Sequence, residues 1–316
     1  MVQQINLFLI KIKKKMIKIG IIGVGYFGEK HLINLLELNK IFNVIGIYDQ
    51  NTERAKVISR KYNVKKFDSI ERITQDCDAV DITTSTDSHY EIMKLCVRKE
   101  KHIFLEKPVS EKLEETKELT EETKNYKKII QIGFIERFND AFLSISSLDF
   151  SIKKIKAIRS GPITERNEKS CIIQDMMIHD IDIINYIIDS SIKDVSIERS
   201  STQNKVICEL TFENNCTAEI KAERSALISR DKSERMITIQ TKKNEEILID
   251  LLNRKIYWNE EELEKIIKKP NALKNELTYF HDCIKKGTKN KISIQSAYKS
   301  AVIASKINEK INALTL

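Results

Sequence analysis

Two short stretches of this chain carry side chains suited to moving a proton. In the first, Lys107 stands between Glu106 and Pro108, directly after the apolar run His102-Ile103-Phe104-Leu105. A lysine at a strand end can hydrogen-bond a hydroxyl group, and it exchanges that proton where burial or neighbouring cations lower its pKa. In the second, Asp175 and His179 are four residues apart in Asp175-Met176-Met177-Ile178-His179-Asp180-Ile181-Asp182, on one face of a helix, with Asp182 three further along. Histidine is the side chain best suited to accept a proton near neutral pH, and a carboxylate one turn away orients it. Acids in an otherwise apolar helix are expensive to bury without a purpose. No metal is expected, because no further His or Cys ligand accompanies them.

A third stretch binds rather than reacts. Gly23, Gly25 and Gly28 in Gly23-Val24-Gly25-Tyr26-Phe27-Gly28 fit the G-x-G-x-x-G spacing after an apolar strand. The first glycine allows a tight turn, the second lets backbone approach a pyrophosphate, and the third lets the following helix pack closely. A second strand, Asn43 to Tyr48, ends in Asp49, 21 residues past Gly28. A carboxylate there accepts hydrogen bonds from adenosine ribose hydroxyls and repels a 2′-phosphate, which favours NAD(H) over NADP(H). Thr84, Ser85 and Thr86 end another strand, where hydroxyls reach a cofactor's phosphates or ribose. Arg137 can reach an anionic or hydroxyl-rich substrate, with an inter-domain salt bridge as the alternative. Arg159 and Arg166, flanking Gly161-Pro162, are further cationic candidates for a diphosphate.

These groups need a scaffold, and the chain supplies two. Strand and helix signals alternate to residue 137, with helices expected at Thr52 to Tyr62, Ser69 to Thr74, His89 to Lys99 and Leu113 to Asn125. Repeated β-α-β units predict an α/β fold, a doubly wound parallel Rossmann sheet with ligands at the carboxyl ends of its strands. After Arg137, residues 153–160, 193–200, 204–212, 216–223, 234–241 and 245–251 read as strands of a large, mainly antiparallel sheet. One helix near 174–188 interrupts them, and a helical tail (272–286, 296–312) is expected to pack back towards the first domain. The expected division is an extension (1–15, a short accessory element or an early-assigned start), a dinucleotide-binding domain (16–137) and a substrate and oligomerisation domain (138–316).

Composition excludes several alternatives. The 316 residues are 41% hydrophobic, and the net charge of +8 comes from 54 basic and 46 acidic residues interleaved along the chain. Without a basic stripe carrying stacking aromatics, nucleic acid is not an expected partner. No window approaches the ~18 uninterrupted apolar residues of a membrane span. The six cysteines are scattered with no C-x-x-C pair, which predicts free thiols and a cytoplasmic setting.

Over residues 16 to 312 the chain resembles the Gfo/Idh/MocA family of NAD(P)-dependent sugar oxidoreductases. The resemblance rests on the glycine turn with Asp49, on Thr84-Ser85-Thr86 before His89, on Glu106-Lys107-Pro108 and on the Asp175…His179 helix. It implies that Lys107 and His179 flank the reacting carbon, with Asp175 as a substrate or histidine partner. It also implies that Gly23, Gly25, Tyr26, Phe27, Gly28, Asp49, Thr84, Ser85, Thr86, His89, Glu106 and Lys107 contact NAD. Arg137, Arg166, Asp175 and His179 would face the substrate. The open sheet would form a homodimer or homotetramer interface. Gly133 to Asn139 and Met177 to Asp182 are similar to a subgroup that includes UDP-N-acetylglucosamine 3-dehydrogenases. The expected substrate is therefore a UDP-N-acetylhexosamine, with a free sugar or cyclitol as the alternative. Phe134, Asp140 and Ser85 depart from the pattern of that subgroup, and a non-catalytic NAD-sensing regulator shares the fold.

Overall fold

The structure, a computed structural model, describes residues 16–146, 151–165, 167–263 and 271–314. The extension 1–15 and Arg166 lie outside the described residues. The chain forms two compact units.

The first runs through Gly133 and takes in Leu273–Ser296. Strands β1 (Ile17–Ile22), β2 (Phe42–Tyr48), β3 (Ala79–Ile82), β4 (His102–Glu106) and β5 (Ile130–Gly133) form one sheet in the order β2-β1-β3-β4-β5. Every pairing is parallel. β3 and β5 are buried along their whole length, as expected of parallel strands covered on both faces. Helices α1 (Tyr26–Glu37), α2 (Thr52–Tyr62), α3 (Ile70–Asp76), α4 (His89–Arg98) and α5 (Leu113–Glu122) make the connections. Local chemistry sets their ends: the Asn51 side chain accepts the Arg54 N–H at the start of α2, and Asn63 closes it in the left-handed region at φ 52°. Between α2 and α3 the chain touches the β2 edge through one parallel bridge, Lys66 to Ile47. From β1 the chain first moves outward to β2, then crosses to β3 on the other side. That reversal opens a crevice at the carboxyl end of β1.

The returning segment closes the β5 edge of this sheet. Ile132 N–H donates to Ile292 O (3.0 Å), Asn290 Nδ2 to Ile130 O (2.6 Å) and Gln131 Nε2 to Glu276 O (3.2 Å). It comprises most of α8 (Ala272–Lys285) and the start of α9 (Ile294–Leu314).

The second unit, Phe134–Ala272 and the chain from Ala297 onward, is built on an eight-stranded sheet. Its strands are β6 (Ile152–Pro162), β7 (Ile192–Ile197), β8 (Lys205–Phe212), β9 (Thr217–Ser225), β10 (Glu234–Thr241), β11 (Glu246–Asp250), β12 (Lys255–Trp258) and β13 (Glu261–Glu262), in the order β13-β12-β11-β10-β6-β9-β8-β7. The β6–β9 pair is parallel and the others are antiparallel. Period-two burial is clearest in β9, where Ala218, Ile220, Ala222 and Arg224 all turn inward. Sequence reading missed β12 and β13. They are short, and the two-residue turn between them uses Asn259 and Glu260 at φ 47° and 70° in place of the usual Asn-Gly. A short helix, α6 (Asp140–Ile145), follows Asn139, whose side chain accepts the Ala141 N–H. The helix expected at 174–188 is a π-turn, Ile173–Met177, continuing into α7 (Ile178–Ile187).

Candidate active site

β1 delivers the chain into a glycine turn whose shape fits a dinucleotide. Gly23 adopts φ +90°, and a side chain there would meet the Thr84 backbone nitrogen at 2.8 Å. A Cβ on Gly28 would lie 2.2 Å from Gly23 O, so only glycine lets α1 come this close to the strand. Gly25 is different: the nearest atom to a Cβ there is Arg54 Nη1 at 3.7 Å, which leaves room for a pyrophosphate. Gly25 caps α1 without a side-chain hydrogen bond, so no capping side chain stands between an anion and this helix N-terminus. Tyr26, at 66% exposure, and Phe27 stand on that first turn. Thr83 Oγ1 donates to Gly23 O (2.6 Å) and braces the turn from β3.

Asp49 ends β2 beside this turn. Its carboxylate accepts the Val24 N–H and the Asn51 N–H, both at 2.8 Å, with Arg54 Nη1 3.8 Å away. A dinucleotide whose adenosine ribose meets Asp49 on the β2 side must extend its nicotinamide half the other way, over β3 and β4. The strand ends on that side carry the remaining candidates. Ser88 Oγ donates to Ser85 O and pairs with the Thr84 hydroxyl (2.8 Å each), which shapes the Thr84-Ser85-Thr86 turn. His89 is buried. Its Nδ1 lies 2.8 Å from Pro108 O and its Nε2 3.1 Å from Thr84 O, so it pins that turn to the segment after Lys107 rather than facing outward. The Lys107–Pro108 bond is cis, and Lys107 N–H donates to Glu106 Oε2 at 3.3 Å.

Behind Glu106 is a cluster that sequence reading missed. His31 on α1 is fully buried, with Nδ1 2.9 Å from Asp81 Oδ2 and Nε2 3.2 Å from Glu106 Oε1. Burial works against its charge, yet the Asp81 and Glu106 carboxylates outweigh it and push the pKa up to about 10. His31 and Asp81 read as ordinary members of a helix and a strand. The available signal was an acid inside the otherwise apolar strand β3 and a histidine beside Leu32 and Leu35 on the buried face of α1.

In the second unit, His179 is half-buried near the start of α7, with its Nδ1 shut away from solvent. Asp175 lies in the π-turn, and Ser170 Oγ approaches its Oδ2 at 3.4 Å. Such turns inside helices recur at functional sites. Arg224, buried on β9, ties down the preceding loop: Nη2 donates to Ser170 O (2.7 Å), Nη1 to Ser170 Oγ (3.1 Å) and Nε to Asn204 Oδ1 (2.8 Å).

Three expectations change here. Asp182 does not serve His179: Arg137 forks onto it through Nε (2.5 Å) and Nη2 (2.6 Å) while stacking on Tyr186 at 4.7 Å. Arg137 is 5% exposed, so its guanidinium is committed inside the unit rather than presented to a substrate or the other domain. Arg159 is equally committed, to Asp180 (2.8 and 2.9 Å) and to Glu136 Oε1 (3.0 Å), where Arg235 joins at 3.1 Å. Burial opposes the Glu136 charge, but Arg159 and Arg235 hold its carboxyl below the usual range. The purpose of the acids in α7 is therefore arginine pairing. All six cysteines are free, with Cys171 exposed and the others buried. Among the described residues no His/Cys/Asp/Glu group could hold a metal, and no helix is long and apolar enough to cross a membrane.

Comparison with known proteins agrees with this geometry. A UDP-N-acetylglucosamine 3-dehydrogenase of Acidithiobacillus ferrooxidans is 28% identical over 165 residues, 52% of each chain, so the likeness spans about half of that relative. A myo-inositol 2-dehydrogenase of Thermotoga maritima is 27% identical over 232 residues, 70% of this chain and 69% of the other. A solved structure of the Acidithiobacillus ferrooxidans enzyme superposes with TM-score 0.88 at 22% identity, covering 95% of this chain and 99% of that one, which shows the shared fold. Residues 17–134 match the model of an oxidoreductase family with the NAD-binding Rossmann fold, GFO_IDH_MocA.

Proposed function

We propose that this chain is an NAD-dependent dehydrogenase of a sugar secondary alcohol, acting on the 3-hydroxyl of a UDP-N-acetylhexosamine such as UDP-N-acetylglucosamine. The observation that carries the reading is the glycine turn open at Gly25, with the Asp49 carboxylate at its adenosine side and Glu106-Lys107 at the strand end opposite. NAD⁺, when bound, accepts the hydride. The chain's own residues bind, orient and handle the proton. The α1 N-terminus neutralises the pyrophosphate, and Asp49 takes the ribose hydroxyls. The family resemblance implies that Lys107 and His179 flank the reacting carbon, and removal of the hydroxyl proton falls to one of these two side chains. Asp175 orients the sugar or His179. Arg137 and Arg159 are withdrawn from the diphosphate role, which leaves Arg166. Likeness to the Acidithiobacillus ferrooxidans enzyme supports the substrate. We include in the proposal a cytoplasmic homodimer or homotetramer formed through the eight-stranded sheet.

A second reading, a cyclitol dehydrogenase, is favoured by the longer match to the Thermotoga maritima myo-inositol 2-dehydrogenase. NADH formation from NAD⁺ with UDP-N-acetylglucosamine, free N-acetylglucosamine and myo-inositol separates the two. Turnover confined to the UDP-sugar, and lost in Lys107→Ala and His179→Ala, supports the first. Turnover of myo-inositol alone replaces it with the second, and NADH binding without turnover of any alcohol would favour a regulator.

A further inference from the structure

An imidazole buried between two carboxylates is a weak device for stability, because apolar residues of the same volume often serve a fold as well or better. It is a better pointer to function. His31 lies one turn beyond Gly28 on α1, Asp81 is on β3, and Glu106 is the last residue of β4. The His31 ring is held edge-on to Phe27 (5.0 Å between centroids) and to Phe104 (5.4 Å), which fixes its orientation. With a carboxylate facing each nitrogen, both carry protons. His31 Nε2 and Glu106 Oε1 are shut away from solvent, 3.2 Å apart, and neither has a better-aligned partner. Gly133 makes the arrangement possible: a Cβ there would lie 2.4 Å from Glu106 Oε1 and 2.7 Å from its Cδ. The other carboxylate oxygen takes the Lys107 N–H.

We propose that His31 is a positioning residue, which holds the Glu106 carboxylate, and through it the Lys107 backbone, at the nicotinamide end of the dinucleotide site. The assignment rests on the dinucleotide reading and is independent of which alcohol is oxidised. Phe27 belongs to the glycine turn and touches His31, so the turn that takes the pyrophosphate and the strand end that meets the nicotinamide share one buried contact chain. Losing that link leaves the pyrophosphate donors of α1 in place and frees Glu106.

The test compares NADH with ADP-ribose, which has the adenosine, both phosphates and a ribose but no nicotinamide. Affinities of both are measured by calorimetry for the wild-type chain, His31→Gln and Gly133→Ala. Each variant is expected to weaken NADH about tenfold, the scale of one charge-assisted hydrogen bond, and to leave ADP-ribose within about twofold. Gly133→Ala keeps every member of the cluster and displaces only the carboxylate, so it decides the matter should His31→Gln fail to fold. Equal losses for both ligands, or unchanged NADH affinity in the folded variants, would overturn the positioning role. A wild-type chain that binds neither ligand overturns the dinucleotide reading itself, and this proposal with it.

Discussion

Replacing Asp49 by serine should reverse the discrimination between NADH and NADPH. In the structure the Asp49 side chain is 6% exposed and its carboxylate sits between Val24 N–H and Asn51 N–H, with the half-exposed Arg54 guanidinium 3.8 Å away. Two free-energy changes follow. Loss of charge-assisted hydrogen bonds to the ribose weakens NADH by about 1.5–3 kcal/mol, and because serine retains one hydroxyl the lower end applies, roughly tenfold. A phosphate dianion about 4 Å from a carboxylate is opposed by about 2 kcal/mol even at the dielectric of water, so removing the carboxylate favours NADPH by roughly 30-fold. The product is a change in preference of roughly 300-fold, with Arg54 left as the cation facing the 2′-phosphate. Fluorescence titration of both reduced cofactors reads this directly and needs no sugar substrate. Arg54→Ala in the Asp49→Ser background should remove most of the NADPH gain, and high salt should shrink it. A preference that moves less than about tenfold, or a parallel loss of both cofactors, would refute the reasoning. The parallel loss would mean that Asp49 acts chiefly through Val24, as a brace for the glycine turn.

Three further outcomes are expected. Gly28→Ala places a methyl carbon 2.2 Å from Gly23 O, so the turn must open, and NADH affinity measured by calorimetry should fall by roughly a hundredfold. Arg159→Met leaves Asp180 and Glu136 buried without their shared cation, and urea denaturation should show a loss of about 3–5 kcal/mol, several times that of an exposed-lysine control such as Lys153→Met. The His31 pKa is raised from 6.5 to about 10 by Asp81 and Glu106 against the pull of burial, so its contribution to stability is complete below pH 6.5 and is lost as pH rises through 10. The wild-type chain should therefore lose more melting temperature than His31→Gln between pH 7 and pH 10, and parallel curves for the two would contradict a charged His31.

The parts of the fold that were legible in the sequence are those where local chemistry and burial agree. α2 runs over the predicted Thr52–Tyr62 because Asn51 and Asn63 cap it, and β3 to β5 read as apolar runs because both faces are covered. Gly23, Gly25 and Gly28 announce their own turn, since each fills a space where no side chain fits or none is wanted. What stayed hidden depends on partners far away in sequence. Asp182 looked like a companion of His179 at helical spacing, but Arg137, 45 residues earlier, claims it. Arg159 looked available for a diphosphate until Asp180 and Glu136 accounted for its donors. His31 and Asp81, 50 residues apart, carry no local signature that joins them.

The closure of the β5 edge bears on how the chain is made. β5 ends at Gly133, whereas its hydrogen-bond partners, Asn290 and Ile292, leave the ribosome roughly 160 residues later. At translation rates of about 5–20 residues per second, the nascent sheet waits roughly 10–30 s with one apolar flank uncovered. An exposed edge of that kind is a template for pairing with other chains. Translation that stalls after β5, or a fragment ending before α8, therefore exposes a sticky intermediate. The first unit should depend on chaperone protection until its last segment is synthesised.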